Sequence, residues 1–288
     1  MRTFDAGGAY GGLVVYNSGA EKRFFNALVD YMAPGGGSDD PKSAINAVST
    51  LVPVNGSWQY GFFNVYMYAE ENPRPRAIEN FTSIPEEHVV LDGAKLHSTW
   101  TAIPNSMAAV GGHGLRQLFW AMTLKADHRV IAISNETFYA GALNELKDVE
   151  GLSMVISYQS LTRVWLEASR EKGGNLMGLS PEKDGGSFAT ILIPTWKHAA
   201  DDEAVLAFVR KSAEEIKAKT SKLGLFNSYV YLNDAASGQN PFENYAGGVH
   251  LPRLRAIQAK YDPDGFIRDY LQHGFSFGVE EDERNDEL

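Results

Sequence analysis

The sequence predicts an α+β domain in which one broad, mainly antiparallel sheet carries helices against one face. Short runs rich in β-branched and aromatic residues recur along the chain, and amphipathic segments of helical period lie between them. The connections follow no strict strand–helix–strand alternation, which sets a doubly wound dinucleotide fold aside.

The elements follow in order. Gly12 to Tyr16 is an apolar, β-branched run and predicts the first strand. Ala20 to Met32 carries Phe24, Leu28 and Met32 at helical spacing and is stopped by Pro34 and the glycines after it. Pro41 to Val48 predicts a further short helix. Tyr60 to Tyr68 predicts an aromatic strand, and Lys95 to Ile103 a loosely alternating one. Phe138 to Val149 and Leu161 to Lys172 predict helices, each ended by glycine. Met154 to Gln159 and Ser187 to Trp196 are strand candidates. In Asp201 to Leu223, Val205, Phe208, Val209, Ala213 and Ile216 line one face of a long helix ended by Gly224. Ser228 to Asn233 predicts the last strand and Pro252 to Tyr261 the last helix. Glycine clusters punctuate the chain without dividing it into blocks of different composition. Residues 1–278 therefore read as one domain, and 279–288 as an acidic, disordered tail.

Composition excludes several classes of function. The 288 residues are 44% hydrophobic and 22% charged, enough for a substantial core. Cysteine is absent, which removes disulfides, thiolate metal sites, thiol nucleophiles and cysteinyl cofactor links. The net charge of −10, half of it from Glu280 to Leu288, argues against a nucleic-acid backbone as partner. No apolar run reaches the roughly 18 residues of a membrane span, and the first residues lack a secretion signal, so no membrane partner and a cytoplasmic location are expected. Phosphate-binding glycine loops, the serine-hydrolase elbow and His-Glu-x-x-His are missing, and the seven histidines have no metal-ligand spacing. No metal site is expected.

The candidate site residues come from the strands. Period two in Ser228–Asn233 puts Tyr229, Tyr231 and Asn233 on one face. A phenol beside a carboxamide can orient or deprotonate a small substrate; the same spacing suits tyrosines that simply pack with their hydroxyls at a sheet edge. In Lys95–Ile103, His97, Thr99 and Thr101 share one face and Trp100 lies on the other. His113 sits among glycines in what reads as a tight turn, with Arg116 shortly after. Tyr158 and Gln159 stand at the end of their strand.

The C-terminal third carries a longer pattern. Tyr231, Asn233, Gln239, Pro241, Tyr245 and Gly247 precede Arg253, Leu254, Ile257, Tyr261, Asp262, Pro263 and Phe266. This order resembles the end of FAD-linked oxidases of the berberine bridge enzyme type, in their fungal branch. Gly11 to Tyr16, Ser157 to Leu161 and Gly173 to Leu179 agree with it. The resemblance implies the substrate domain of a vanillyl-alcohol-oxidase-type flavoprotein, with residues 239–278 as the segment that packs back on an FAD-binding domain. Such a domain, with its flavin-attaching histidine, has no counterpart here, so this chain alone is expected to bind no cofactor, with FAD present only if a separate flavin domain supplies it. Two positions depart from the family: Asp234 follows Asn233 where plant-type members often carry a tyrosine, and the closing Gly-Gly-Phe is His273-Gly274-Phe275.

The reading favoured from these residues is a stand-alone substrate domain acting as a cofactor-independent cyclase or isomerase on a natural-product intermediate. Tyr231, Asn233 and His97 would be catalytic, and Tyr229, Thr99, Trp100, His113, Arg116, Tyr158 and Gln159 would bind substrate. The alternatives are half of an FAD-dependent oxidoreductase and a non-catalytic ligand-binding module. The apolar surface left by the missing interface predicts a homodimer or a partner chain.

Overall fold

The computed structural model of the chain describes residues 8–103, 114–270 and 275. Its centre is a ten-stranded antiparallel sheet. The strands are β1 (Ala9–Asn17), β2 (Ser43–Val54), β3 (Ser57–Tyr68), β4 (Val89–Asp92), β5 (Lys95–His97), β6 (Arg116–Gln117), β7 (Trp120–Lys125), β8 (Ser153–Leu161), β9 (Ser187–Trp196) and β10 (Phe226–Asn227). They run in the order β10-β7-β9-β8-β2-β3-β1-β4, with β5 also on β1 and β6 on β9. The α+β expectation is thus met: one sheet, helices on one face.

The hairpin β2–β3 sets the register of the left half. Asn55 and Gly56 form its two-residue turn, with φ of 50° and 79°. Positive φ at both positions is the backbone twist that two antiparallel strands require of so short a turn. The segment 41–48, expected to be helical, belongs to β2 instead. Its buried residues Ser43, Ile45 and Ala47 alternate with Ala44 and Asn46, a period of two rather than 3.6.

Aromatic packing seats the helices. Phe24 of the helix Glu21–Met32 stacks on Phe62 at 4.9 Å between ring centres and meets Phe81 edge-on at 5.6 Å. Phe208, from the helix Asp202–Lys222, stacks on Phe138 at 6.0 Å. Even- and odd-numbered strand residues are thereby sorted: Tyr16, Phe62, Tyr66, Tyr158, Phe188 and Trp196 all enter this core.

One expected strand is shortened and another does not form. Lys95–Ile103 pairs only over Lys95–His97. Ser228–Asn233 is not a strand: pairing ends at Asn227, whose side-chain oxygen accepts from the Tyr229 amide at 2.9 Å while its amide donates to the buried Asp184 at 2.6 Å. That local turn diverts the chain from the sheet, and Leu232–Asp234 forms a 3₁₀ turn.

A π-helix over Asn135–Ala140 continues the helix His128–Ser134 and aims Tyr139 between two strands. The Tyr139 hydroxyl donates to the Ser49 carbonyl at 2.8 Å and accepts from the Ile156 amide at 3.1 Å. Burial pushes this phenol well above the ordinary tyrosine range, so it stays protonated and keeps donating. Tyr139→Phe leaves these β2 and β8 groups without their partner. It is expected to cost about 1–3 kcal/mol in chemical denaturation; an unchanged midpoint would show that the bridge contributes nothing.

Candidate functional site

The pleat gives the sheet a second face, turned away from the helices. Registers align Phe63 with Val48, Asn46 with Gln159, Ser157 with Ile191, and Ile191 with Ala121 across the strands. Apolar side chains occupy both flanks of this face. Leu13, Phe63, Val65 and Met67 gather with Trp100 and Ile103 on one side. Ala121, Ala189, Ile191 and Ile193 gather with Val230, Tyr231 and Ala235 on the other.

Between the flanks, β2 and β8 contribute polar residues. Ser157 donates to the Asn46 side-chain oxygen at 2.9 Å. Gln159 donates to Asp234 at 2.8 Å, which ties the 231–236 loop to the strip. Burial raises the Asp234 carboxyl above its usual range, and the Gln159 hydrogen bond offsets part of that rise. On the same loop, Asn233 donates its amide to the Tyr231 hydroxyl oxygen at 3.0 Å. The phenol oxygen is thereby oriented while its own proton stays available to a third group. The site therefore offers an apolar wall, a strip of amide and hydroxyl groups, and a phenol–carboxamide pair beside a partly desolvated carboxyl.

Of the residues singled out in the sequence, the structure brings Gln159, Tyr231 and Asn233 to one region. Trp100 packs on the far flank of the same face. Tyr158 turns the other way, as its neighbour Gln159 requires: it is fully buried among the helices, with its hydroxyl 3.4 Å from Asn135. Tyr229 is buried and stacked on Tyr245 at 5.7 Å, with its hydroxyl toward the Met177 sulfur. It does not share a strand face with Tyr231, because no strand forms there. His97 sits 3.1 Å from the Gly11 carbonyl and anchors β5 to β1. Thr99 is exposed and meets Thr101 at 3.3 Å in the turn that replaces the expected strand. Arg116 grips Asp202 through two hydrogen bonds of 2.5 and 2.6 Å, and Trp196 donates to the same carboxylate at 2.8 Å. That is a fixing point for the start of the 202–222 helix. His113 lies outside the described residues.

Sequence reasoning missed Asn46 and Ser157 as partners and gave Asp234 no role. The alternation of β2 would have placed Asn46 on this face had the segment been read as a strand. Nothing in the sequence pairs Asp234 with Gln159.

Among the described residues, no group of three or more His, Asp or Glu is arranged to hold a metal ion, and no helix is long and apolar enough to cross a membrane.

No family profile matches the chain. It is 31% identical over 281 residues to an FAD-dependent monooxygenase of Penicillium roqueforti, covering 96% of this chain and 54% of that protein. It is 26% identical over 275 residues to the bifunctional solanapyrone synthase of Alternaria solani, covering 96% and 50%. Among solved structures, 6-hydroxy-D-nicotine oxidase of Arthrobacter nicotinovorans superimposes with a TM-score of 0.57 at 12% identity, over 90% of this chain and 53% of that one. Xylooligosaccharide oxidase of Myceliophthora thermophila does so with a TM-score of 0.57 at 15% identity, over 92% and 55%. The chain is therefore related to fungal FAD-dependent monooxygenases and has the fold of the matching part of such oxidases. It spans about half the length of the curated relatives it matches.

The raised Asp234 carboxyl has a pH consequence. A carboxyl whose folded-state pKa exceeds its unfolded value adds stability that is complete below the unfolded pKa and is lost as pH rises through the folded one. Asp234→Asn removes this dependence and keeps an acceptor for Gln159. The variant's stability relative to the parent is expected to rise with pH across that interval in denaturation at a series of pH values. A constant difference would contradict the assignment.

Proposed function

We propose that this chain supplies the substrate side of the active site in an FAD-dependent oxidoreductase acting on a small natural-product intermediate. The flavin would be held by a domain outside these 288 residues. The observation that carries the reading is a polar strip set in an apolar sheet face, in a chain related over 96% of its length to about half of an FAD-dependent monooxygenase.

The residues of the face suit one part of the cofactor. Asn46, Ser157 and Gln159 can hydrogen-bond the heteroatoms of a flat ring, and the flanking aliphatic side chains can cover its apolar edge. None of these positions is lysine or arginine, so the face suits the ring and not the pyrophosphate. FAD, when bound, takes up the electrons removed from the substrate. The chain's own work is to exclude water with its apolar flanks, to orient the substrate, and to hold a proton at the Tyr231 oxygen, where Asn233 fixes the phenol. Asp234, whose carboxyl burial raises above its usual range, is a second titratable group on the same loop.

The closing segment supports a covered interface. Tyr261, Phe266, Ile267 and Tyr270 are between 57% and 77% exposed, and a partner surface, here assigned to the flavin-binding domain, would bury them. The cofactor-independent cyclase draws on the same Tyr231–Asn233 pair, but the exposed closing segment and the half-length relationship favour the flavin-linked reading.

The test is the flavin content of the native protein isolated from its source. The proposal expects flavin absorbance that follows the chain through purification and vanishes together with turnover when flavin is stripped. Turnover by a flavin-free 31.6 kDa protein would establish the cyclase reading instead. In the active protein, Tyr231→Phe is expected to lower kcat by about 10²-fold or more, whereas His97→Gln leaves kcat near the parent value.

A further inference from the structure

We propose that Gln239 is a positioning residue for the candidate site, acting as a side-chain substitute for a missing strand residue. The inference rests on the reading that the 231–236 loop serves the reacting substrate.

β10 pairs with β7 only through Phe226–Leu124 and Asn227–Thr123. Two residues further along β7, the amide and carbonyl of Ala121 face the same edge, and among the described residues no strand lies beside them. Ala121 is buried, so these groups need partners inside the protein. Gln239 provides both. Its side-chain oxygen accepts from the Ala121 amide at 3.0 Å and its side-chain nitrogen donates to the Ala121 carbonyl at 2.7 Å. One carboxamide thus reproduces the paired bonds of an antiparallel ladder.

The same oxygen also accepts from the Ala236 amide at 3.0 Å, and the Gln239 backbone amide donates to the Ala236 carbonyl at 3.0 Å. Gly238, with φ of 83°, supplies the positive φ that the third position of this turn demands. Ala236 ends the loop that carries Tyr231, Asn233 and Asp234. Besides the packing of Tyr231 and Ala235 on the apolar flank, hydrogen bonds tie the loop to the sheet at two points: through Asp234 to β8, and through Gln239 to β7. With only the first, it could swing about the Asp234–Gln159 bond and carry Tyr231 away from the apolar flank against which it packs.

Only a carboxamide satisfies all three partners at every pH, because one atom must accept twice and the other must donate. This makes Gln239→Glu a chemical switch. Protonated, the glutamate reproduces the pattern; ionised, it sets an oxygen against the Ala121 carbonyl. Gln239→Met cannot form the pattern at any pH.

The experiment is hydrogen exchange of segment 231–238, read against the parent at each pH, with turnover of the flavin-loaded full protein measured in parallel. Gln239→Met is expected to exchange about tenfold faster in this segment at all pH values, the worth of roughly one hydrogen bond. Gln239→Glu should approach the parent at acidic pH and Gln239→Met at neutral pH, with β8 and β9 protected throughout. Turnover should follow the same profile, with kcat falling and KM little changed. Parent-like exchange in both variants, or loss of protection throughout the sheet, overturns the positioning role. If exchange behaves as expected while turnover stays flat, the hydrogen-bond pattern stands and the functional reading of the loop fails.

Discussion

The pleat of the antiparallel sheet obliges every strand to serve two environments at once. Alternate residues of β1, β2, β3, β8 and β9 enter an aromatic core beneath the helices, and the intervening ones form the opposite face. A slip of one residue would send Phe62, Tyr66 and Tyr158 outward and bring Phe63, Ser157 and Gln159 beneath the helices. The two-residue turn of the β2–β3 hairpin and the Tyr139 bridge between β2 and β8 resist that slip. The polar strip is thus a consequence of how the other face is packed.

A sheet face alone is flat, and the site gains its third dimension from the chain between Asn227 and Gln239. Here the backbone leaves the sheet at the Asp184–Asn227 contact, crosses the face, and returns to the edge at Ala121. The crossing brings Asp234 to Gln159 and partly desolvates its carboxyl. The groups with the most perturbable chemistry therefore lie on an irregular segment held by side-chain hydrogen bonds, while the strands beneath supply a rigid floor. That division is common where binding residues need positions that regular structure cannot provide.

Much of the scaffold was legible in the sequence. Ser187–Trp196 was read with its observed limits, and the long helix at 202–222 followed from its apolar stripe and terminal glycine. β2 was missed because Pro41 and the small residues after it resemble a helix start, and Ser43, Ala44 and Ala47 differ too little in polarity for their alternating burial to show in the sequence. The last strand was misjudged because aromatic alternation in Tyr229–Asn233 outweighed a local signal: Asn227 can bind its own backbone two residues on. Tyr231, Asn233 and Gln159 could be picked out as functional candidates, and the nearness of Tyr231 to Asn233 with them, but the long-range partners could not. Asp234 meets Gln159 across 75 positions and Gln239 meets Ala121 across 118, separations that no local pattern encodes.

We propose that the strip formed by Asn46, Ser157 and Gln159, with the 231–236 loop above it, is where the reacting centre lies. A structure of the native holoprotein tests it most directly. The flavin ring is expected within hydrogen-bonding reach of this strip, with Tyr231 on the substrate's side. A ring bound at the helical face, or against any surface that leaves the strip open to solvent, would contradict it.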